Sequence, residues 1–166
     1  RRPKTDLGEP RHISHEGGAL EDPGNAPPDD VWMLTRHVQD APDTPEEISL
    51  HFERGVPTGI DGTNLAPEIL VAALNERAGL HGVGRVDICE NRLVGMKSRG
   101  VYETPGGTVI LEALRTLRAL TLERDTLRMT EKLMPDYADL VYSGRWFSPL
   151  RRCLDTFFDA VAQPVS

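Results

Sequence analysis

The hydrophobic pattern of this chain switches repeatedly between two periods, and the order of the switches restricts the folds open to it. Ile48, Leu50 and Phe52 alternate with polar residues, as they do in a half-buried strand. Helical spacing begins at Pro67, alternation returns over residues 85–103, and helical spacing then continues towards the end of the chain. Strands on either side of one helix, followed by several helices, predict an α+β fold with a mostly antiparallel sheet packed with those helices.

Turn and cap residues predict where these elements begin and end. Gly79 is predicted to take the left-handed position after the first helix, and Pro135 is predicted to end a helix that starts near Leu122. Ser148 and Pro149 predict the start of the last helix, because they suit its cap and its first turn. The predicted strands are Val31–Arg36, Ile48–Phe52, Val56–Ile60, Arg85–Glu90 and Arg99–Glu103.

Charge and composition argue against several classes of protein. The chain has 19 basic and 26 acidic residues, and its net charge of −7 argues against nucleic acid held by phosphate contacts. No apolar run is long enough for a membrane helix, so no membrane partner is expected. Cys89 and Cys153 lie far apart within apolar patterns, which predicts small buried thiols in a reducing compartment and a cytoplasmic protein.

The beginning of the chain differs in composition from the rest. Residues 1–30 are rich in Gly, Pro and acidic residues, and they are predicted to be an irregular segment. Residues 31–166 are predicted to form the main domain. The sequence starts at Arg1 without a methionine and stops at Ser166, directly after Gln-Pro-Val. We therefore expect these 166 residues to be one piece of a longer protein.

Gly95 and Gly100 have the outer spacing of a phosphate-binding loop, GxxxxG. Such a loop needs Lys-Ser or Lys-Thr directly after the second glycine, so that the lysine reaches the terminal phosphates and the hydroxyl holds magnesium. Val-Tyr follows here, and the Lys-Ser pair lies between the glycines. The spacing therefore favours a turn between two strands, with Lys97 and Arg99 solvated, over a nucleotide site.

Glu90 stands at the end of an otherwise apolar strand face, where a buried carboxylate without a partner would be costly. Two explanations are open. In the first, Glu90 is an ordinary surface residue, which lies past the strand end in water or pairs with Arg92 or Lys97. In the second, its carboxylate receives an ammonium or guanidinium group of a ligand. Tyr102 is open in the same way, as an ordinary strand aromatic or as a site residue.

The sequence HISHE, with His12, His15 and Glu16, invites a metal-site hypothesis. Its spacing matches no zincin motif, and no further ligand can be named from the sequence. Metal binding is therefore the weakest of the alternatives.

The residues from His81 to Thr108, HGVGRVDICENRLVGMKSRGVYETPGGT, resemble the synthetase domain of the argininosuccinate synthase family. The resemblance extends in the same order along nearly the whole chain, through HISHEGGALEDP, HFERGVP, LTLERD and WFSPLRRCLDTF. This long match is far more specific than any of the short motifs above.

The resemblance implies an ATP-dependent ligase of arginine biosynthesis and the urea cycle. Such a ligase activates citrulline with ATP and Mg²⁺, then joins it to aspartate to give argininosuccinate, AMP and pyrophosphate. The family has an N-terminal nucleotide-binding domain and a C-terminal arm that helps to build a homotetramer. Both are expected to lie outside these 166 residues, so the chain alone is expected to be inactive. The resemblance thus implies that residues 1–30 lead in from the missing N-terminal domain and that residues 31–166 are a synthetase domain truncated at its C-terminal end. The alternative is a non-catalytic structural or oligomerisation module derived from the same fold.

The resemblance also implies four citrulline contacts. Ser14, Glu90 and Tyr102 match citrulline-binding residues of the family, and Thr5 stands where the family has a serine. A carboxylate and a phenol suit a zwitterionic amino acid, whose ammonium group must be satisfied on burial. Secondary candidates, for positioning the loop or an anionic group, are Lys97 and Arg99.

Overall fold

The computed structural model describes residues 12–166, and within that range the chain forms six β-strands and four α-helices. The strands are β1 (Ile13–Glu16), β2 (Leu50–Glu53), β3 (Val56–Ile60), β4 (Thr63–Asn64), β5 (Arg85–Asn91) and β6 (Lys97–Glu103). The helices are α1 (Pro67–Leu80), α2 (Pro105–Thr121), α3 (Arg124–Tyr142) and α4 (Pro149–Ala162). The strand pairs are antiparallel, which confirms the predicted α+β class. They form two three-stranded sheets, β1-β6-β5 and β2-β3-β4, where the sequence predicted one.

The described residues divide into two compact units. The first contains residues 12–47 and 65–110, and the second contains Ile48–Asn64 and Leu111–Ser166. The first sheet lies in the first unit, and the second sheet lies in the second. The candidate residues at positions 14, 90 and 102 therefore all belong to the first unit.

Strand β6 is the centre of the first sheet, with β1 and β5 at its edges. Ile13, Val101 and Glu103 are buried on one face of this sheet. Strand β1 lies within residues 1–30, which were predicted to be irregular, so that part of the prediction is wrong for this segment. The strand is only four residues long, which is too short for alternation to stand out in a Gly- and Pro-rich sequence.

The predicted strand over Val31–Arg36 is wrong, because its backbone bonds to a side chain instead of to a neighbouring strand. Glu103 is 1% exposed. Its carboxylate accepts hydrogen bonds from the backbone N–H groups of Met33 (2.7 Å), Leu34 (3.0 Å) and Thr35 (2.9 Å). A β-ladder would need these same donors. The buried carboxylate therefore anchors an irregular segment to the sheet.

Helix α1 begins at Pro67, as predicted, and buries Leu70 and Leu74. The prediction of a left-handed Gly79 after the helix is wrong, because the helix continues past that position. A Cβ at Gly79 would lie 2.2 Å from the carbonyl oxygen of Leu34. This glycine therefore permits a close approach of two segments and does not serve a turn.

The second unit contains the predicted hairpin. Arg54 and Gly55 turn the chain with φ of 51° and 75°, and Asp61 and Gly62 turn it again with φ of 49° and 80°. The backbone N–H of Gly55 donates to the carbonyl oxygen of Val165 at 2.6 Å. The last residues of the chain therefore hold the hairpin.

Helix α3 continues without a break through Pro135, so the prediction that this proline ends it is wrong. Proline removes one backbone hydrogen bond from a helix. The residues after it pack against α4, where Tyr137 donates to Asp155 at 2.8 Å and lies edge to face with Phe158. The predicted start of α4 is confirmed, since the Ser148 hydroxyl accepts a backbone N–H of its first turn.

Cys89 and Cys153 are free and exposed, so the prediction of buried thiols is wrong. Cys89 lies on an edge strand, and the buried positions of α4 are Leu154 and Val161. None of the helices in residues 12–166 has the length and apolar character needed to cross a membrane.

Candidate functional site

Ser14, Glu90 and Tyr102 lie on the same face of the β1-β6-β5 sheet. Tyr102 on the central strand is directly opposite Ser14 on β1. Glu90 on β5 is opposite Ser98, which shares the face of Tyr102 because side chains alternate along a strand. The sheet therefore brings together three predicted residues that are distant in sequence.

The two predicted residues of the β5–β6 hairpin are in direct contact. The Tyr102 hydroxyl donates to Oε1 of Glu90 at 2.6 Å. This bond raises the pKa of Tyr102 to about 12; partial burial and the negative charges of Glu90 and Glu16 act in the same direction, and the charge of Arg92 opposes them. The phenol is therefore protonated at neutral pH. Its single proton is committed to Glu90, so the oxygen acts towards a ligand as an acceptor.

Gly100 provides the space for the tyrosine ring. A Cβ at Gly100 would lie 3.0 Å from Oη, 3.1 Å from Cε2 and 3.3 Å from Cζ of Tyr102. The ring therefore lies back over Gly100, which is two residues earlier on the same face. Gly95, with φ of 82°, lies in the turn between the strands. The GxxxxG spacing thus belongs to a hairpin, as predicted, and not to a phosphate-binding loop.

Arg92 and Glu16 complete the cluster, although neither was assigned to it from the sequence. The Arg92 Nε donates to Ser98 Oγ at 2.8 Å, its Nη1 lies 3.3 Å from Oε2 of Glu90, and its Nη2 pairs with Glu16. Of the two side chains predicted as partners of Glu90, Arg92 is the one that pairs with it. The explanation in which Glu90 receives a ligand group stays a prediction. Glu16 would have been found had β1 been predicted, because its two-residue spacing from Ser14 puts both on one face.

We call Glu16, Glu90 and Tyr102 the acceptor cluster. The Tyr102 hydroxyl lies 2.6 Å from Glu90 and 3.4 Å from Glu16, so it stands between two carboxylates. Arg92 supplies one positive charge against these two negative charges and lowers the pKa of Glu16. The cluster therefore suits a ligand group that is cationic or rich in N–H donors. Two exposed apolar residues lie beside it on the same face: Val86 and Ile88, each 41% exposed.

Comparison with known proteins identifies the family. A sequence model of the family described as "Arginosuccinate synthase C-terminal domain" matches residues 9–166. The chain belongs to the argininosuccinate synthase family. Its membership confirms the resemblance carried by ENRLVGMKSRGVYETP.

Proteins named argininosuccinate synthase are similar to nearly the whole of this chain. The protein of Moorella thermoacetica is 52% identical over 155 residues, which cover 93% of this chain and 38% of that protein. The protein of Pelotomaculum thermopropionicum is 55% identical, with 93% and 39% covered. The chloroplastic argininosuccinate synthase of Arabidopsis thaliana is 49% identical over 152 residues, with 92% and 31% covered. The chain thus spans less than two fifths of the length of these argininosuccinate synthases.

The citrulline contacts implied by the argininosuccinate synthase resemblance stay predictions. Three of the four, Ser14, Glu90 and Tyr102, share one sheet face. The fourth, Thr5, lies outside the described residues.

Arg99, a secondary candidate in this argininosuccinate synthase domain, is engaged on the other face of the sheet. Its Nη2 lies 2.7 Å from Oδ2 of Asp87, and its Nη1 donates to the carbonyl oxygens of Pro23 (2.7 Å) and Asn25. The Arg99 side chain is 17% exposed, so the expectation that it is solvated is wrong. It fixes the segment around Pro23 against the sheet. Alternation along β6 puts Lys97 on this same face, away from the acceptor cluster.

The HISHE residues do not converge on a common point. His15 and Glu16 are adjacent on β1 and therefore point to opposite faces, and Glu16 pairs with Arg92. Within residues 12–166, no group of three His, Cys, Asp or Glu side chains is arranged to hold a metal ion. His15 and Glu16 therefore cannot act together as ligands of one metal ion in this arrangement.

Proposed function

We propose that this chain is the citrulline-binding part of an argininosuccinate synthase. Such an enzyme is an ATP-dependent ligase that condenses citrulline with aspartate and releases AMP and pyrophosphate. The observation that carries the proposal is the convergence of Ser14, Glu90 and Tyr102 on one sheet face, with Tyr102 hydrogen-bonded to Glu90 at 2.6 Å.

The chemistry of this face suits one end of an amino acid. The acceptor cluster offers two carboxylates and a phenol oxygen, and it retains a net negative charge beside Arg92. An ammonium group supplies the donors and the positive charge that such a cluster needs. The exposed side chains of Val86 and Ile88 provide an apolar surface for the methylene groups of citrulline. Ser14 can donate to an oxygen of the substrate or accept from one of its N–H groups.

We assign ATP with Mg²⁺, and the binding of aspartate, to a nucleotide-binding part of the complete ligase. The GxxxxG glycines do not fit a triphosphate, because Gly100 lies beneath the Tyr102 ring and Gly95 turns a hairpin. The chemical step is assigned with ATP to that other part of the ligase. A cytoplasmic homotetramer is proposed for the complete ligase on the resemblance alone.

Replacing Glu90 with Gln in the complete ligase is expected to raise the KM for citrulline by at least roughly tenfold. The change removes one charge from the acceptor cluster, and a charged hydrogen bond contributes about 1.5–3 kcal/mol, with about 1.4 kcal/mol for each factor of ten. The measurement is steady-state pyrophosphate release against citrulline concentration.

Asp87→Asn is the matched control for this experiment. It makes the same chemical change on the same strand, three residues earlier and on the opposite face, where Asp87 pairs with Arg99. Its citrulline KM is expected to stay within about twofold of the wild-type value. An unchanged KM in Glu90→Gln would contradict the assignment and favour a structural or oligomerisation module.

The 166-residue chain by itself is expected to release no pyrophosphate from ATP in the presence of citrulline, aspartate and Mg²⁺. The reason is that its described residues present no loop fitted to the phosphates. The assay compares the purified chain with the complete ligase at equal concentration. Release above the protein-free blank, lost again in Glu90→Gln, would show that the chain carries an ATP site of its own.

A further inference from the structure

Within residues 12–166, the Arg92 side chain contacts Ser98 and both carboxylates of the acceptor cluster. Each of its nitrogens has a different partner: Ser98 for Nε at 2.8 Å, Glu90 for Nη1 at 3.3 Å and Glu16 for Nη2. A guanidinium presents its donors in a rigid planar fork, so these contacts fix the positions of their acceptors relative to one another. Lysine has one nitrogen on a flexible stem and could not reproduce this arrangement.

The backbone of Arg92 is also held at the site. Its N–H donates to the carbonyl oxygen of Met96, and its own carbonyl accepts from the N–H of Gly95, both at 2.8 Å. Both contacts lie within the turn between β5 and β6. The Arg92 side chain therefore extends from a hydrogen-bonded turn.

Removal of Arg92 would leave the carboxylates without a common anchor. Glu90 would keep the hydroxyl of Tyr102 on Oε1 but lose the contact on Oε2. Glu16 would lose its ion pair while standing, like Glu90, next to the same hydroxyl. Two carboxylates in such positions repel each other, so one of them would turn towards solvent.

The effect of Arg92 on folding is expected to be small. The side chains of Arg92 and Glu16 are 29% and 43% exposed, and ion pairs with this exposure contribute little to stability. Glu90 is 24% exposed. The arrangement thus serves the geometry of the face more than the stability of the domain.

We propose that Arg92 is a positioning residue for citrulline: it holds the carboxylates of Glu90 and Glu16 on either side of the Tyr102 hydroxyl, ready for a cationic or N–H donor group. Arg92 acts through these residues, and its role requires no contact with the substrate. The proposal rests on the proposed function, since citrulline is the ligand that it concerns.

The test uses Arg92→Ala and Arg92→Lys in the complete ligase. Arg92→Ala is expected to raise the KM for citrulline about tenfold and to change kcat less than twofold, because the chemistry at saturating substrate takes place on other groups. Arg92→Lys is expected to raise the KM several-fold, because one ammonium cannot hold three acceptors. Guanidinium ion added to Arg92→Ala, below the concentration that unfolds it, is expected to restore most of the lost affinity.

Arg115→Ala is the matched control. Arg115 forms an exposed ion pair with Glu112 on helix α2, so this variant removes the same side chain from a pair outside the site. Neither the mutation nor added guanidinium is expected to change its citrulline KM.

Three outcomes would overturn the positioning role: a wild-type KM in Arg92→Ala, a wild-type KM in Arg92→Lys, or a raised KM that guanidinium does not lower. Should Arg92→Ala fail to fold, Arg92→Lys alone decides. Glu90→Gln distinguishes failure of the positioning role of Arg92 from failure of the proposed citrulline-binding function. If Glu90→Gln raises the KM and the Arg92 variants do not, only the positioning role falls; if Glu90→Gln has no effect, the proposed function falls with it.

Discussion

Replacing Glu103 with Ala is expected to lower the free energy of unfolding of the first unit by about 3–5 kcal/mol. The Glu103 side chain is 1% exposed and accepts hydrogen bonds from three backbone N–H groups and from the Thr35 hydroxyl, the last at 2.5 Å. Alanine would leave these donors without an acceptor, and each buried unpaired donor costs about 1–3 kcal/mol. Water entering the vacated space would recover part of this loss, so the sum stays below the simple total.

Trp32 provides the measurement, because it adjoins the anchored segment and lies against the guanidinium of Arg85, 4.6 Å from the ring centroid. Urea unfolding is followed by its fluorescence in a Trp146→Phe background, where Trp32 of the first unit is the remaining tryptophan. Glu76→Ala is the control: Glu76 is an exposed residue of helix α1 in the same unit, and its loss is expected to cost less than about 1 kcal/mol. A loss in Glu103→Ala no larger than that of the control would show that the buried carboxylate does not hold the segment.

Glu103 illustrates what a local pattern can and cannot predict. Alternation along β6 predicts that Glu103 shares a face with Val101, and both are 1% exposed. The partners of the carboxylate lie about 70 residues earlier, in a segment whose apolar residues resemble a strand. The hydrophobic pattern of either segment does not predict that the Glu103 carboxylate binds these backbone N–H groups. The strand predicted over Val31–Arg36 was therefore wrong for a tertiary reason, since its donors are taken by one distant side chain.

In the candidate site, too, some contacts follow from local sequence patterns and others depend on distant strand pairing. The contact between Glu90 and Tyr102 follows from a hairpin, and the hairpin is readable from alternation on both sides of a glycine-containing turn. Arg92 was considered only as a neutralising partner, and Glu16 only as a metal ligand. Their position in the cluster depends on β1, a short edge strand whose pairing with β6 could not be predicted from its four residues. Local patterns thus located one side of the site, and long-range strand pairing supplied the other.

Gly100→Val in the complete ligase is expected to raise the KM for citrulline by about 100-fold. Even a single Cβ at this position would lie 3.0 Å from the Tyr102 hydroxyl oxygen, and the branched side chain would occupy the space of the ring. The phenol would then leave both the face and its hydrogen bond to Glu90. Loss of one charged hydrogen bond to the substrate and of the bond that orients Glu90, at about 1.5 kcal/mol each, corresponds to a factor of about 100.

A double-mutant cycle with Tyr102→Phe tests whether Gly100 acts through the phenol. Tyr102→Phe removes the same two hydrogen bonds, so alone it is expected to raise the KM about 100-fold as well. Adding Gly100→Val to it is expected to raise the KM further by less than about threefold, because the hydroxyl is already gone. Fully additive effects would mean that Gly100 serves citrulline binding by another route. Valine is favoured in strands, so the thermal midpoint of Gly100→Val is expected to fall little while affinity falls strongly. A small change in thermal midpoint together with a large change in KM would show that glycine is needed at position 100 for citrulline binding, because the Tyr102 ring lies over it, and is not needed for folding.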